Sequence, residues 1–201
     1  MKIDELVPFK NTDMYKTAKD QLDYDHKLNR PTRVGIITSK LKNMGYVLHS
    51  IGTGAYAEVF KRPQDNYVIK IFGEDKGYLT YLKYMMQHQN NPHVPKMHGS
   101  LVKPFKDRPL YIVRMEILKP KEWDEEAHRD LVFAIDYALS GSPTDSARYK
   151  RLIKKQYPQL LPVIEDIQKI LGDNTNFRND IHTGNIMYRE DGTPVITDPL
   201  Y

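Results

Sequence analysis

Two short apolar runs near the end of the chain, Ile186-Met187-Tyr188 and Thr193 to Thr197, stand on either side of Glu190-Asp191-Gly192. An Asp-Gly pair between runs of this kind predicts two short antiparallel strands joined by a tight turn. A hairpin doubles the chain back, so Asn185, just before the first strand, and Asp198, just after the second, return to one end. The preceding stretch, Asp180-Ile181-His182-Thr183-Gly184-Asn185, adds a second acid ahead of the Asn. Two acids and an Asn gathered at a hairpin end form an arrangement able to hold metal-bound phosphate. An acid and an Asn at this spacing recur by chance, so the reading needs a partner elsewhere in the chain.

That partner lies upstream, in Ile51-Gly52-Thr53-Gly54-Ala55-Tyr56-Ala57-Glu58-Val59-Phe60 and then Tyr67-Val68-Ile69-Lys70-Ile71-Phe72. Glycines at 52 and 54 let a backbone turn come close to phosphate oxygens. Lys70 interrupts an otherwise apolar run, which predicts a buried strand whose Lys needs an anion, and a phosphate would serve. By themselves Gly52 and Gly54 suit an ordinary hairpin turn; the downstream acids in the right order reverse that preference.

Together these motifs make residues 46 to 201 resemble the protein kinase-like superfamily, which includes protein kinases, aminoglycoside phosphotransferases and fructosamine kinases. The resemblance is to a small, truncated member, of a compact type expected in bacteriophages. Asp180-Ile181-His182-Thr183-Gly184-Asn185 is similar to the Asp-Leu-His-Pro-Gly-Asn loop of the small-molecule branch, and Thr197-Asp198-Pro199 resembles its Ile-Asp-Pro. The resemblance implies an α+β, two-lobed protein kinase-like fold with an antiparallel β-sheet N-lobe and a reduced α-helical C-lobe. Residues 1–45 would be an N-terminal helical extension, 46–118 the N-lobe and 119–201 the C-lobe, all in one globular unit.

The same resemblance implies ATP and Mg²⁺ as cofactors. Asp180 would be the catalytic base, Lys70 would orient the α- and β-phosphates, and His182 would orient the loop. Asn185 and Asp198 would hold the metal. Gly52, Thr53, Gly54, Ala55, Tyr56, Ala57 and Val59 would cover the nucleotide, and Met115, Glu116 and Leu118 would border adenine at a hinge. Ala57 stands where the commonest pattern has a third glycine.

Two departures matter. Kinases hold the strand Lys with a Glu on the following helix, but the helix predicted over Asp75 to Gln87 contains none; Glu58, Glu74 and Asp75 are the nearest acids. The sequence also stops at Tyr201, where protein kinases continue into a substrate platform, so a partner chain or second copy could complete the acceptor site. The leading reading is phosphoryl transfer from ATP to a hydroxyl of a protein or a small molecule. Its alternatives are a kinase-like binding protein that regulates a partner macromolecule, and an AMP transferase.

The remaining patterns support a single α+β chain. Helices are predicted near 13–27, over Val34, Ile37, Leu41 and Met44 to a stop at Gly45, from Asp124 to Gly141, from Thr144 to Tyr157, and from Leu160 to a stop at Gly172. Strands are predicted over 46–51, 57–61, 67–72 and 110–115. His93 and His98 lack acidic company and suit loop packing; Arg148, Lys150, Arg151, Lys154 and Lys155 suit a solvated helix face. The net charge of +4 suits a nucleotide but is too small to argue for nucleic acid. With no cysteine, no apolar run of membrane-spanning length and a polar N-terminus, the expectation is a soluble cytoplasmic protein, in the host cytoplasm if the chain comes from a phage.

Overall fold

A computed structural model describes residues 33–49, 57–104, 109–121 and 125–201. Among them are five α-helices, a four-stranded antiparallel sheet and a two-stranded hairpin, an α+β architecture. The chain divides into two compact units, Met1–Glu74 with Met97–Ile117, and Asp75–Lys96 with Leu118–Tyr201. The helix expected near 13–27, the glycine-loop residues Gly52, Thr53, Gly54, Ala55 and Tyr56, and Asp124 lie outside the described residues.

The first unit contains α1 (Arg33–Asn43), β1 (Val47–Leu48), β2 (Ala57–Lys61), β3 (Tyr67–Phe72) and β4 (Tyr111–Glu116). The strands lie in the order β1-β2-β3-β4. Ile37 and Leu41 of α1 are buried in one core with Phe60, Ile69, Ile71 and Ile112. This is the expected use of residues at helical spacing on α1 and at alternate positions on the strands. Met44 drops out of the stripe and is exposed, because α1 ends at Asn43 and Gly45, at φ +84°, turns the chain away.

The β2–β3 turn is locked by charge. Arg62 donates from Nε and Nη2 to the two carboxylate oxygens of Asp65 at 3.1 and 2.9 Å, and the Tyr46 hydroxyl donates to Asp65 at 2.6 Å. The carboxylate is desolvated, which alone would raise its pKa, but the Arg62 and Tyr46 hydrogen bonds outweigh this and hold it below the usual range.

The second unit contains α2 (Lys76–Gln87), α3 (Glu126–Ser140), α4 (Pro143–Gln156), α5 (Leu160–Asp173), a 3₁₀ turn at Thr183–Asn185, and the hairpin β5 (Ile186–Tyr188) and β6 (Pro194–Ile196). Leu160, Val163, Ile164 and Ile167 form one fully buried face of α5. That helix runs one residue past Gly172, where a stop was expected. Asn174 caps it by donating from Nδ2 to the Ile170 carbonyl at 3.3 Å, so no left-handed glycine is needed. Among the described residues no helix is long and apolar enough to cross a membrane.

Gly77, in the first turn of α2, has a packing reason. A Cβ at this position would sit 2.6 Å from the Leu200 carbonyl oxygen, a backbone atom that cannot move aside cheaply. The close approach seats α2 against the segment that follows Asp198. Gly77→Ala is therefore expected to destabilise the protein by about 1–3 kcal/mol, despite the roughly 1 kcal/mol that Ala contributes in an unstrained helix. A denaturant midpoint that stays level or rises would show that no such contact exists.

Candidate functional site

The hairpin forms as its turn residues require. Gly192 takes φ +83°, its N–H donates to the Arg189 carbonyl at 3.1 Å, and the Asp191 side chain accepts from the Thr193 N–H at 2.9 Å. In the resulting register Ile186 pairs with Ile196. Thr197 then lies beside Asn185 and donates to its carbonyl from both N–H and Oγ1, at 2.9 and 3.1 Å.

A second antiparallel pairing follows at once. Arg178 and Tyr201 exchange backbone hydrogen bonds of 2.7 and 2.9 Å, Asn179 faces Leu200 in an isolated bridge, and the Asp180 N–H donates to the Pro199 carbonyl at 3.0 Å. Asp198 is thus held between Thr197, fastened to Asn185, and Pro199, fastened to Asp180. Three residues that the sequence separates are brought together chiefly by main-chain hydrogen bonds.

The side chains extend this clamp. Asn185 Nδ2 donates to the Asp180 carbonyl at 2.8 Å and to its Oδ2 at 3.1 Å. With both amide hydrogens used on Asp180, Asn185 keeps Oδ1 as an acceptor. Asp180 has a side chain 42% exposed, open enough to meet a substrate. Asp198 is half-buried and carries a buried carboxylate oxygen, Oδ1. An amide oxygen and a half-buried carboxylate on adjoining backbone segments are donors of the kind a small hard cation takes, its other ligands being water and phosphate. Among the described residues no group of three or more His, Asp or Glu could hold a metal ion.

His182 caps the 3₁₀ turn. Its Nδ1 accepts from the Gly184 N–H at 3.1 Å, while Nε2 stands 4.0 Å from Asp180 Oδ2, beyond hydrogen-bond reach. The geometry gives it a hand in the shape of the loop.

Supports that the sequence reading, His93 apart, did not single out hold the clamp from behind. Asn179 donates from Nδ2 to Asp136 and Ser140 on α3, at 2.5 and 2.7 Å, and accepts from the Ile181 N–H. The Tyr81 hydroxyl, fully buried on α2, donates to the Ile196 carbonyl at 2.8 Å. His93 is buried as loop packing, its ring 2.7 Å from the Pro194 carbonyl and its own carbonyl accepting from Ile196. His128, fully buried on α3, has Nδ1 2.9 Å from the Tyr188 hydroxyl. The partners reached by Asn179 on α3, by Tyr81 and by His128 are far apart in the chain, so no local pattern signals them.

Burial lowers the pKa of His128, against the opposing pull of the Thr183 backbone and of Glu125; burial also lowers that of His93. Both histidines are therefore held neutral near pH 7. A histidine with a folded pKa below its unfolded value of about 6.5 binds more protons when unfolded, so stability falls as pH drops below about 6.5. Wild-type protein is expected to lose stability on acidification from pH 7 to 5, with a shallower loss in His128→Gln. Denaturant titrations across that range check it, and parallel slopes for the two proteins would remove His128 from the account.

In the first unit, antiparallel pairing of β2 and β3 sets Lys70 opposite Val59 and Glu58 opposite Ile71. Directly opposed residues share a face and neighbours alternate, so Lys70 and Val59 point to one side and Glu58 to the other. Glu58 there accepts from the Thr38 hydroxyl at 2.8 Å, which takes it out of contention as the partner of Lys70. Of the other two acids considered, Glu74 is exposed and Asp75 caps α2 by accepting from the Tyr78 N–H at 2.8 Å. Ala57 and Met115 lie on the Lys70 side by the same alternation, while Glu116 ends β4. Leu118 is buried and opens a stretch of the second unit. His98 lies against Tyr67, ring centroids 6.1 Å apart.

No protein-family model matches the sequence, and no curated protein does. Among solved structures, the kinase PK-1 of the Cydia pomonella granulovirus is similar, with 16% identity, a TM-score of 0.43, and coverage of 83% of this chain and 58% of that one. Rad53 1-466, solved in complex with AMP-PNP, is similar at 20% identity and a TM-score of 0.38, over 82% of this chain and 42% of that one. The chain thus spans about half the length of the solved structures it matches.

Proposed function

We propose that this protein is an ATP-dependent phosphotransferase that moves the γ-phosphoryl group of Mg-ATP to a hydroxyl of a protein or a small molecule. The observation that carries the reading is the clamp itself, in which Asp180, Asn185 and Asp198 are fastened to one another through Thr197 and Pro199. A hairpin that served only packing has no need for an Asn and two acids at one end.

Asp180, partly open to solvent, accepts the proton of the acceptor hydroxyl as its oxygen bonds to the γ-phosphorus and the bond to the β-phosphate oxygen breaks. Asn185 Oδ1 and the Asp198 carboxylate are the groups that would hold Mg²⁺, which supplies charge to offset that on the phosphates. Within the first unit, Lys70 is assigned to the α- and β-phosphates, with Ala57, Val59 and Met115 on its face of the sheet beside the base, and the Glu116 to Leu118 backbone meeting adenine. Use of ATP accords with the cytoplasmic location expected from the sequence. A kinase-like binding protein that regulates a partner macromolecule without turnover is the second reading, favoured by the absence of any Glu from α2.

Mg-ATP at a hundred times its Kd is expected to stabilise the fold by about 2.7 kcal/mol, seen as a raised melting temperature that Lys70→Ala diminishes. Incubation with ATP labelled at the γ- or α-position, followed by mass spectrometry of the protein and of a cell lysate, separates phosphoryl transfer, AMP transfer and binding alone. A melting curve indifferent to millimolar Mg-ATP would end the nucleotide reading.

A further inference from the structure

Apart from Tyr201, the exposed large hydrophobic residues described in the second unit are Phe133 and Tyr137 on α3 and Leu152 on α4, at 50%, 44% and 50% exposure. They lie on one surface. Helices α3 and α4 form a hairpin through Gly141 and Ser142, and the rings of Tyr137 and Tyr149 stack across it with centroids 5.1 Å apart. Phe133 is one turn from Tyr137, and Leu152 one turn from Tyr149, both moving away from the connection. The result is an apolar strip along the open side of two packed helices.

On α4 the flank of this strip is basic, whereas on α3 Phe133 has Asp130 and Asp136 three positions to either side. Residues three and four positions from Leu152 are its neighbours on the helix surface, and these are Arg148, Tyr149, Lys155 and Gln156. Arg148, Arg151 and Lys155 continue as an exposed row along the same side of α4.

We propose that the α3–α4 hairpin is a docking surface for an acidic amphipathic helix of a partner protein, its apolar side on the Phe133–Leu152 strip and its carboxylates along the Arg148–Lys155 row. Two other occupants fit less well. A second copy would set α4 against α4, bringing like-charged rows together, or α4 against α3, where Asp136 is already bound by Asn179. A nucleic acid would require open aromatic faces for its bases, but Tyr149 has Tyr137 stacked against it and the Arg148 guanidinium 5.6 Å over its ring.

The test uses the full chain and a labelled synthetic helical peptide with leucines on one side and glutamates on its flanks, beside a version with lysines in place of glutamates. The acidic peptide is expected to bind at least tenfold more tightly than the basic one, and to weaken between about 0.1 M and 1 M salt as screening shortens from about 10 to 3 Å. R148E with K155E should cost tenfold or more in affinity, and Leu152→Ser or Phe133→Ser several-fold. These positions are exposed, so the variants should keep the wild-type melting temperature, which is measured alongside. Equal binding of the two peptides, variants that bind as wild type, displacement of the peptide by a single-stranded RNA oligonucleotide, or concentration-dependent dimerisation abolished by Leu152→Ser would each overturn the proposal.

Discussion

Asp180→Asn is expected to lower phosphoryl transfer by roughly 10²- to 10⁴-fold, the range for loss of a general base, while leaving nucleotide affinity nearly unchanged. The substitution is close to isosteric, and the backbone bond from Asp180 to Pro199 does not involve the side chain. Asn185 Nδ2 also keeps its 2.8 Å contact with the Asp180 carbonyl. The clamp should therefore survive, and a fall in transfer would report the chemistry of the carboxylate. A transfer assay beside a calorimetric ATP titration makes the comparison. If Asp180→Asn transfers at the wild-type rate, Asp180 is not the base.

What could be read beforehand follows from how local each signal is. The β5–β6 hairpin was legible because its strands and its Asp191-Gly192 turn lie within a dozen residues, and turn chemistry sets the register of short hairpins. Register in turn carries Asn185 and Asp198 to one end. The supports were not legible, since their partners are distant: Asn179 reaches Asp136, and Tyr81 reaches Ile196. Gly77 is the sharpest case. In sequence it only weakens a helix, and its reason, the Leu200 carbonyl, belongs to the far end of the chain. Glu58 shows an intermediate kind of limit. Its alternation against Lys70 is present in the sequence, but which face each residue takes depends on the pairing of two strands, and that emerges only with the fold.

Asp198→Asn should act on binding, and this separates it from Asp180. Its Oδ1 is buried, and a unit charge pair at about 4 Å is worth roughly 4 kcal/mol at the effective dielectric near a protein surface, against about 1 kcal/mol in bulk water. Loss of that charge toward a dication should weaken Mg-dependent ATP binding by tenfold or more, with transfer at saturating nucleotide falling as well. The change has a second readout. The amide keeps the size and shape of the carboxylate, and the Tyr78 phenol, whose pKa is raised by burial and then by the Asp198 charge, stays neutral in either protein. Asp198→Asn should therefore melt near the wild-type temperature in the absence of ligand and lose most of the shift that Mg-ATP produces. A variant that binds Mg-ATP as tightly as wild type would take Asp198 out of the metal site and leave the clamp as structure alone.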